Sequence, residues 1–204
     1  MSSHRPPRPI APTKADTALL PPFLGLSLER VFVPATQADF AAAAAEIFAA
    51  GVAGFDTESK PIFNAGEVNK GPHVVQFALT DRAFIFQLHR LEGVPFVKEL
   101  LASEKVRKVG FGLSSDHTQI RSRLGIKPSA VVDLDVAFRK LGYRGQIGVR
   151  AAVGTVLKQS FPKSKSATTS NWALPRLSPK QLLYAANDAY AALKVYEALE
   201  VGRV

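Results

Sequence analysis

Four carboxylates, Asp56, Glu58, Asp116 and Asp188, lie in three separated places along this chain, each inside an otherwise apolar run. Asp56 and Glu58 end the stretch Val52-Ala53-Gly54-Phe55-Asp56-Thr57-Glu58. Asp116 follows Val109-Gly110-Phe111-Gly112-Leu113-Ser114-Ser115, and Asp188 lies four residues after Tyr184 in the alanine-rich segment from Leu182 to Leu193. Apolar runs are buried on folding, and a buried carboxylate needs a compensating charge. Several carboxylates converging on one place form a donor set for a divalent cation, which points to metal-dependent chemistry.

The local patterns bring these acids onto compatible faces. Val52–Glu58 reads as a strand, where alternate side chains share a face. Asp56 and Glu58 then point one way, with Phe55 and Thr57 opposite. Ser178-Pro179-Lys180-Gln181 opens a final helix with an N-cap, a proline at the first position and a capping-box glutamine, and the helix runs to about Glu200. Positions i and i+4 of a helix share a face, so Tyr184 and Asp188 look at the same site. Asp116, near the start of a helix over Ser115–Leu124, closes the site from a third direction.

The remaining elements predict a mixed sheet with helices packed on it. A short strand at Arg30–Val33 precedes a helix that begins near Thr36 and runs to Ala50. Strands at His73–Thr80 and Ala83–Leu88 meet in a hairpin at Asp81-Arg82. Alternating elements follow: a helix at 94–103, strands at 108–111 and 131–133, and helices at 134–141 and about 148–157. Residues 159–177 read as loop. Residues 1–22 are proline-rich and without apolar period, and are expected to form a flexible tail, leaving 23–204 as a single domain.

Charge supplies the second constraint. The net charge is +9, and residues 136–187 contain no acid but nine bases: Arg139, Lys140, Arg144, Arg150, Lys158, Lys163, Lys165, Arg176 and Lys180. The other 17 bases balance the 17 acids, so this window carries the whole excess. A localised basic surface suits a polyanionic partner. With no cysteine, thiol catalysis and zinc–thiolate sites are excluded. No apolar run approaches the length of about 20 residues that a membrane helix needs. The expected setting is therefore intracellular and cytoplasmic, without a membrane partner.

The three motifs Phe55-Asp56-Thr57-Glu58, Gly112-x3-Asp116 and Tyr184-x3-Asp188 together resemble those of the DEDD 3′→5′ exonucleases, tyrosine branch. The likeness spans about residues 30–200 and is nearest to Werner-syndrome-type and ribonuclease D-type domains. Ser170-Asn171-Trp172 and the run Leu182-x-Tyr184-Ala185-Ala186-x-Asp188-Ala189-Tyr190 add to it. The resemblance implies a ribonuclease H-like α/β fold and release of nucleoside monophosphates from the 3′ end of DNA or RNA. It further implies two divalent cations, Mg²⁺ or Mn²⁺. By that resemblance Asp56, Glu58 and Asp188 hold the first cation. Asp56 bridges to the second, held with Asp116, and Tyr184 orients the attacking water. The histidine-branch position, five residues before the last Asp, is Leu183, which agrees with the tyrosine assignment. Thr57, Phe111, Lys163, Lys165 and Trp172 are candidate contacts to a single-stranded 3′ end, against the competing readings of packing against the last helix for Trp172, a core position for Phe111 and plain solvation for the two lysines. Two rival readings are a non-catalytic nucleic-acid-binding module on the same fold and a two-carboxylate hydrolase acting on sugars. Neither accounts for four acids together with the basic window.

Overall fold

The computed structural model describes residues 9–62, 66, 68, 70–162 and 165–201. Among these residues six strands form one sheet: β1 (Val31–Phe32), β2 (Val52–Glu58), β3 (Val74–Ala78), β4 (Ala83–Gln87), β5 (Arg107–Gly110) and β6 (Val131–Asp133), in spatial order β1-β4-β3-β2-β5-β6. β3 pairs antiparallel with both β2 and β4, whereas β1–β4, β2–β5 and β5–β6 are parallel. The expected mixed sheet is thus present, with β3 alone reversed.

Alternation along the central strands assigns the two faces. Phe55, Val75, Phe77, Phe84 and Phe86 point to one side, against α2 (Gln37–Ala50), α3 (Val94–Ala102) and α4 (Ser114–Leu124). The α2 helix begins with a complete capping box. The Thr36 hydroxyl accepts from Asp39 N at 3.2 Å, and the Asp39 carboxylate accepts from Thr36 N at 2.9 Å. It stops at Gly51, whose φ of +67° suits glycine. Val74, Ala78 and Ile85 point to the other side, against α8 (Pro179–Val201).

The alanines of α8 explain how closely that helix approaches the sheet. Ala185, Ala186, Ala189, Ala191 and Ala192 are all buried. A Cβ placed on Gly54 of β2 would lie 1.9 Å from the Ala189 carbonyl oxygen. Helix backbone therefore rests on strand backbone, two residues from Asp56 and one from Asp188. The start of α8 matches its expected cap: Gln181 N donates to Ser178 Oγ at 3.3 Å, and Ser178 N donates to Gln181 Oε1 at 3.0 Å.

Three segments differ from the sequence expectation. Residues 9–22, expected as a flexible tail, hold a capped helix α1 (Lys14–Ala18) and two bridges, Ile10 to Arg144 and Pro22 to Ser160. Thr17 is buried, and its methyl fills the space that a side chain on Gly154 would occupy. Composition without apolar period hides this, because the anchors are single residues. The helix at about 148–157 is α6 (Val149–Ala152) running into a π-helical turn over Val153–Leu157. The expected loop 159–177 contains a short helix α7 (Lys165–Thr168). The helix α5 (Leu134–Lys140) lies where it was expected.

Lys108 on β5 is fully buried and donates to the Leu100 and Ser103 carbonyls, at 3.2 and 2.6 Å, closing the end of α3. Burial pushes its amine down from 10.5 to about 8. The folded value lies below the unfolded one, so the folded protein binds fewer protons between them and gains stability as pH rises through that interval. The wild type is expected to gain about 5 °C in Tm between pH 8 and 10 relative to Lys108→Met. Parallel Tm–pH curves for the two proteins would refute this.

Candidate active site

Strand β2 carries Asp56 and Glu58 on the face covered by α8, and α8 presents Asp188 to them. Their carboxylate oxygens lie within 4.8 Å of one another. Asp188 is buried, while Asp56 and Glu58 are half-buried. The close seat of Ala189 on Gly54 is what brings the helix acid to the strand acids. Three hard oxygen donors at this spacing suit Mg²⁺, Mn²⁺ or Ca²⁺, and offer nothing to a soft metal.

Asp116 occupies the first turn of α4, on the opposite face of the sheet, and lies outside that trio. Its link to β2 is the Thr57 hydroxyl, which donates to the Asp116 carboxylate. The Thr57 amide in turn donates to Asp56 at 2.9 Å. Thr57, expected as a substrate contact, thus joins the first and second motifs. Asp116 is 8% exposed, and burial raises its carboxyl above the usual range, opposed mainly by the Thr57 hydrogen bond. Its negative form gains from a nearby cation.

The turn before Asp116 is held from β6. The Asp133 carboxylate accepts from Gly112 N at 2.9 Å and Leu113 N at 3.0 Å, and also caps α5 by accepting from Asp135 N at 3.0 Å. Gly112 sits at φ +63°, a left-handed position in this turn. Asp135 accepts from Ile147 N at 2.8 Å and so fixes the loop before α6.

Tyr184 lies one helical turn before Asp188. Burial first, then the negative charge of Asp188, hold its phenol far above the ordinary tyrosine range. A hydrogen bond with the Thr168 hydroxyl, 3.0 Å away, opposes this, and the charge of Glu58 adds to the rise. Tyr184 is therefore placed as a hydrogen-bonding group beside Asp188 rather than as a ready proton acceptor. Trp172, named above as a substrate contact, is 1% exposed and packs against the Tyr184 ring with centroids 6.0 Å apart. The ring backs the tyrosine rather than opening to solvent. Phe111 is half-buried, stacks on Phe138 and faces the site. Lys163 lies outside the described residues, as does the side chain of Lys165.

Two cavities meet at Asp188. One, of about 300 Å³, is walled by Phe23, Leu26, Phe161, Lys180 and Tyr184. The other, of about 200 Å³, is walled by Asp56, Phe111, Gln146 and Val149. The N-terminal wall of the first is pinned to α8 by Asn187, which accepts from Leu26 N at 2.7 Å and donates to Leu26 O at 3.2 Å. Sequence reasoning missed Phe23, Leu26, Gln146 and Asn187. Asn187 adjoins the third motif, and its position beside Asp188 was the one signal available. The exposed bases Lys158, Arg176 and Lys180 lie on the segments leading to these cavities.

A family model described as 3′-5′ exonuclease matches residues 31–201. The mouse (Mus musculus) bifunctional 3′-5′ exonuclease/ATP-dependent helicase WRN is 32% identical over 151 residues, covering 72% of this chain and 11% of that protein. An Arabidopsis thaliana 3′-5′ exonuclease is 30% identical over 150 residues, covering 72% of this chain and 52% of its own. The chain thus spans about half of one relative and a small part of the other. The Aedes aegypti Nibbler EXO domain superposes with a TM-score of 0.73 at 23% identity, covering 87% of this chain and 90% of that one. This likeness shows the fold alone, and it agrees with the ribonuclease H-like sheet expected above. Among the described residues, no helix is long and apolar enough to cross a membrane.

Proposed function

The chain belongs to the 3′-5′ exonuclease family, and on that premise we propose that it hydrolyses phosphodiester bonds one at a time from the 3′ end of a nucleic acid, with two divalent cations, Mg²⁺ or Mn²⁺. The observation that carries the reading is the convergence of Asp56, Glu58 and Asp188 within 4.8 Å, with the Tyr184 phenol one helical turn before Asp188. Bound cations supply a more acidic water and neutralise charge on the transferring phosphoryl group. Asp56, Glu58 and Asp188 hold the first cation. Asp116, which reaches β2 through the Thr57 hydroxyl, would help hold the second. Tyr184 keeps its proton and orients the attacking water by hydrogen bond. The cavities on either side of Asp188 give the terminal nucleotide and the strand behind it separate room, with Lys180 at one rim. Phosphate contacts from the basic window guide the strand without reading its sequence.

One time course tests this. A 5′-labelled single strand, as DNA and as RNA, and a recessed-end duplex are each incubated with Mg²⁺ or Mn²⁺. A descending ladder of products is the expected result. Cleavage at internal positions only, or no cleavage of any strand with either metal, would overturn the reading.

A further inference from the structure

Gln76, at the centre of β3, is fully buried, yet neither its amide nitrogen nor its amide oxygen has a hydrogen-bond partner. The other two buried glutamines are satisfied. Gln87 donates to the Leu174 carbonyl at 3.0 Å. Gln181 accepts from Ser178 N and Ser178 Oγ, and donates to Ser170 Oγ and the Asn171 carbonyl. A buried amide with no partner is costly, and an apolar side chain would fit this strand at no such cost. Gln76 is therefore not explained by packing.

Its register supplies an explanation. In the antiparallel β2–β3 pair Gln76 stands directly opposite Asp56. Opposed residues of such a pair share a face, with Cβ atoms about 4.5–5.5 Å apart. On the far side Gln76 stands opposite Ile85, an apolar neighbour with nothing to offer an amide. The only ionisable residue opposite Gln76 in either neighbouring strand is thus Asp56, whose carboxylate can accept from an amide N–H.

Resting on the metal-site reading above, we infer that Gln76 is a positioning residue that holds the Asp56 carboxylate in its metal-binding orientation. In the cation-loaded site the amide N–H₂ would donate to the Asp56 carboxylate. Hydrogen bonds of this kind orient the ligand and commonly carry 10–100-fold in metal affinity.

Gln76→Met keeps the length of the side chain and removes both polar groups, and Gln76→Leu does the same with a different shape. Each variant is measured in the full chain by Mn²⁺ calorimetry, by thermal melting in EDTA, and by kcat and KM on a labelled strand. The expected result is a higher melting temperature in EDTA together with Mn²⁺ affinity weakened about 10-fold. A matching fall in kcat at unchanged KM completes the pattern. Stability and metal affinity thus move in opposite directions, which loss of a purely structural contact does not produce. Wild-type Mn²⁺ affinity in whichever variant folds overturns the inference. Should the wild type bind Mn²⁺ but cleave no strand, the exonuclease reading fails while the calorimetry still decides the role of Gln76.

Discussion

Replacing Asp56 by Asn is expected to lower turnover by on the order of 10³-fold or more while leaving the fold intact. The substitution keeps the size of the side chain and removes one charge from a cluster whose oxygens lie within 4.8 Å of each other. Two unit charges at that separation repel by about 3 kcal/mol at an effective dielectric near 20. The half-exposure of Asp56 and Glu58 makes this an upper bound. Without a cation the variant should therefore melt above the wild type. With saturating Mn²⁺ the order should reverse, because the wild type gains a bound ligand and the variant does not. The same argument predicts that a chelator abolishes wild-type activity and that added Mn²⁺ restores it. Melting curves with EDTA and with MnCl₂, beside a labelled-strand assay, check all three statements. Full activity of the variant, or equal Mn²⁺-induced stabilisation of both proteins, would remove Asp56 from the metal site.

Tyr184→Phe is expected to reduce kcat by about 10²-fold, in the range for loss of one aligned hydrogen-bonding group. Strand binding should change little. The phenyl ring keeps its contact with Trp172, so the packing at the head of α8 survives. What disappears is the hydroxyl, which meets Thr168 at 3.0 Å and lies beside Asp188. Burial and the neighbouring carboxylates favour the protonated phenol, which suits orienting a water over removing its proton. The pH–rate profile of the variant should therefore keep the shape of the wild-type profile and only drop in height. A limb that rises with pH in the wild type and is lost in the variant would instead make Tyr184 a titrating base. An unchanged rate would leave it a packing residue.

Much of this arrangement was legible in the chain. The alternation Phe55/Thr57 against Asp56/Glu58 gave the faces of β2, and the four-residue spacing placed Tyr184 with Asp188. Caps at Thr36 and Ser178 located two helix starts, because capping depends on residues three apart and needs no tertiary information. Contacts between distant segments were less readable. Asp116 approaches the other acids by way of Thr57, whose side chain points to the opposite face of the sheet, and no spacing rule reports such a relay. The segment from Pro9 to Leu26 is held by Thr17 against Gly154, by Asn187 and by bridges to Arg144 and Ser160. Anchors so sparse leave no periodicity. Gln76 sat unnoticed in an apolar strand because its importance arises only from what stands across from it.

The seat of Ala189 on Gly54 has a consequence for how the site responds to stress. A spacing set by two main chains in contact has no rotamers to sample, so it cannot loosen gradually as a side-chain pocket does. Warming or a distant substitution can change it only by prising helix from strand, and that step is loss of the core itself. The main-chain positions that carry Asp56 and Asp188 therefore keep their spacing up to the melting transition, and what is left to tune in the site is the orientation of each carboxylate.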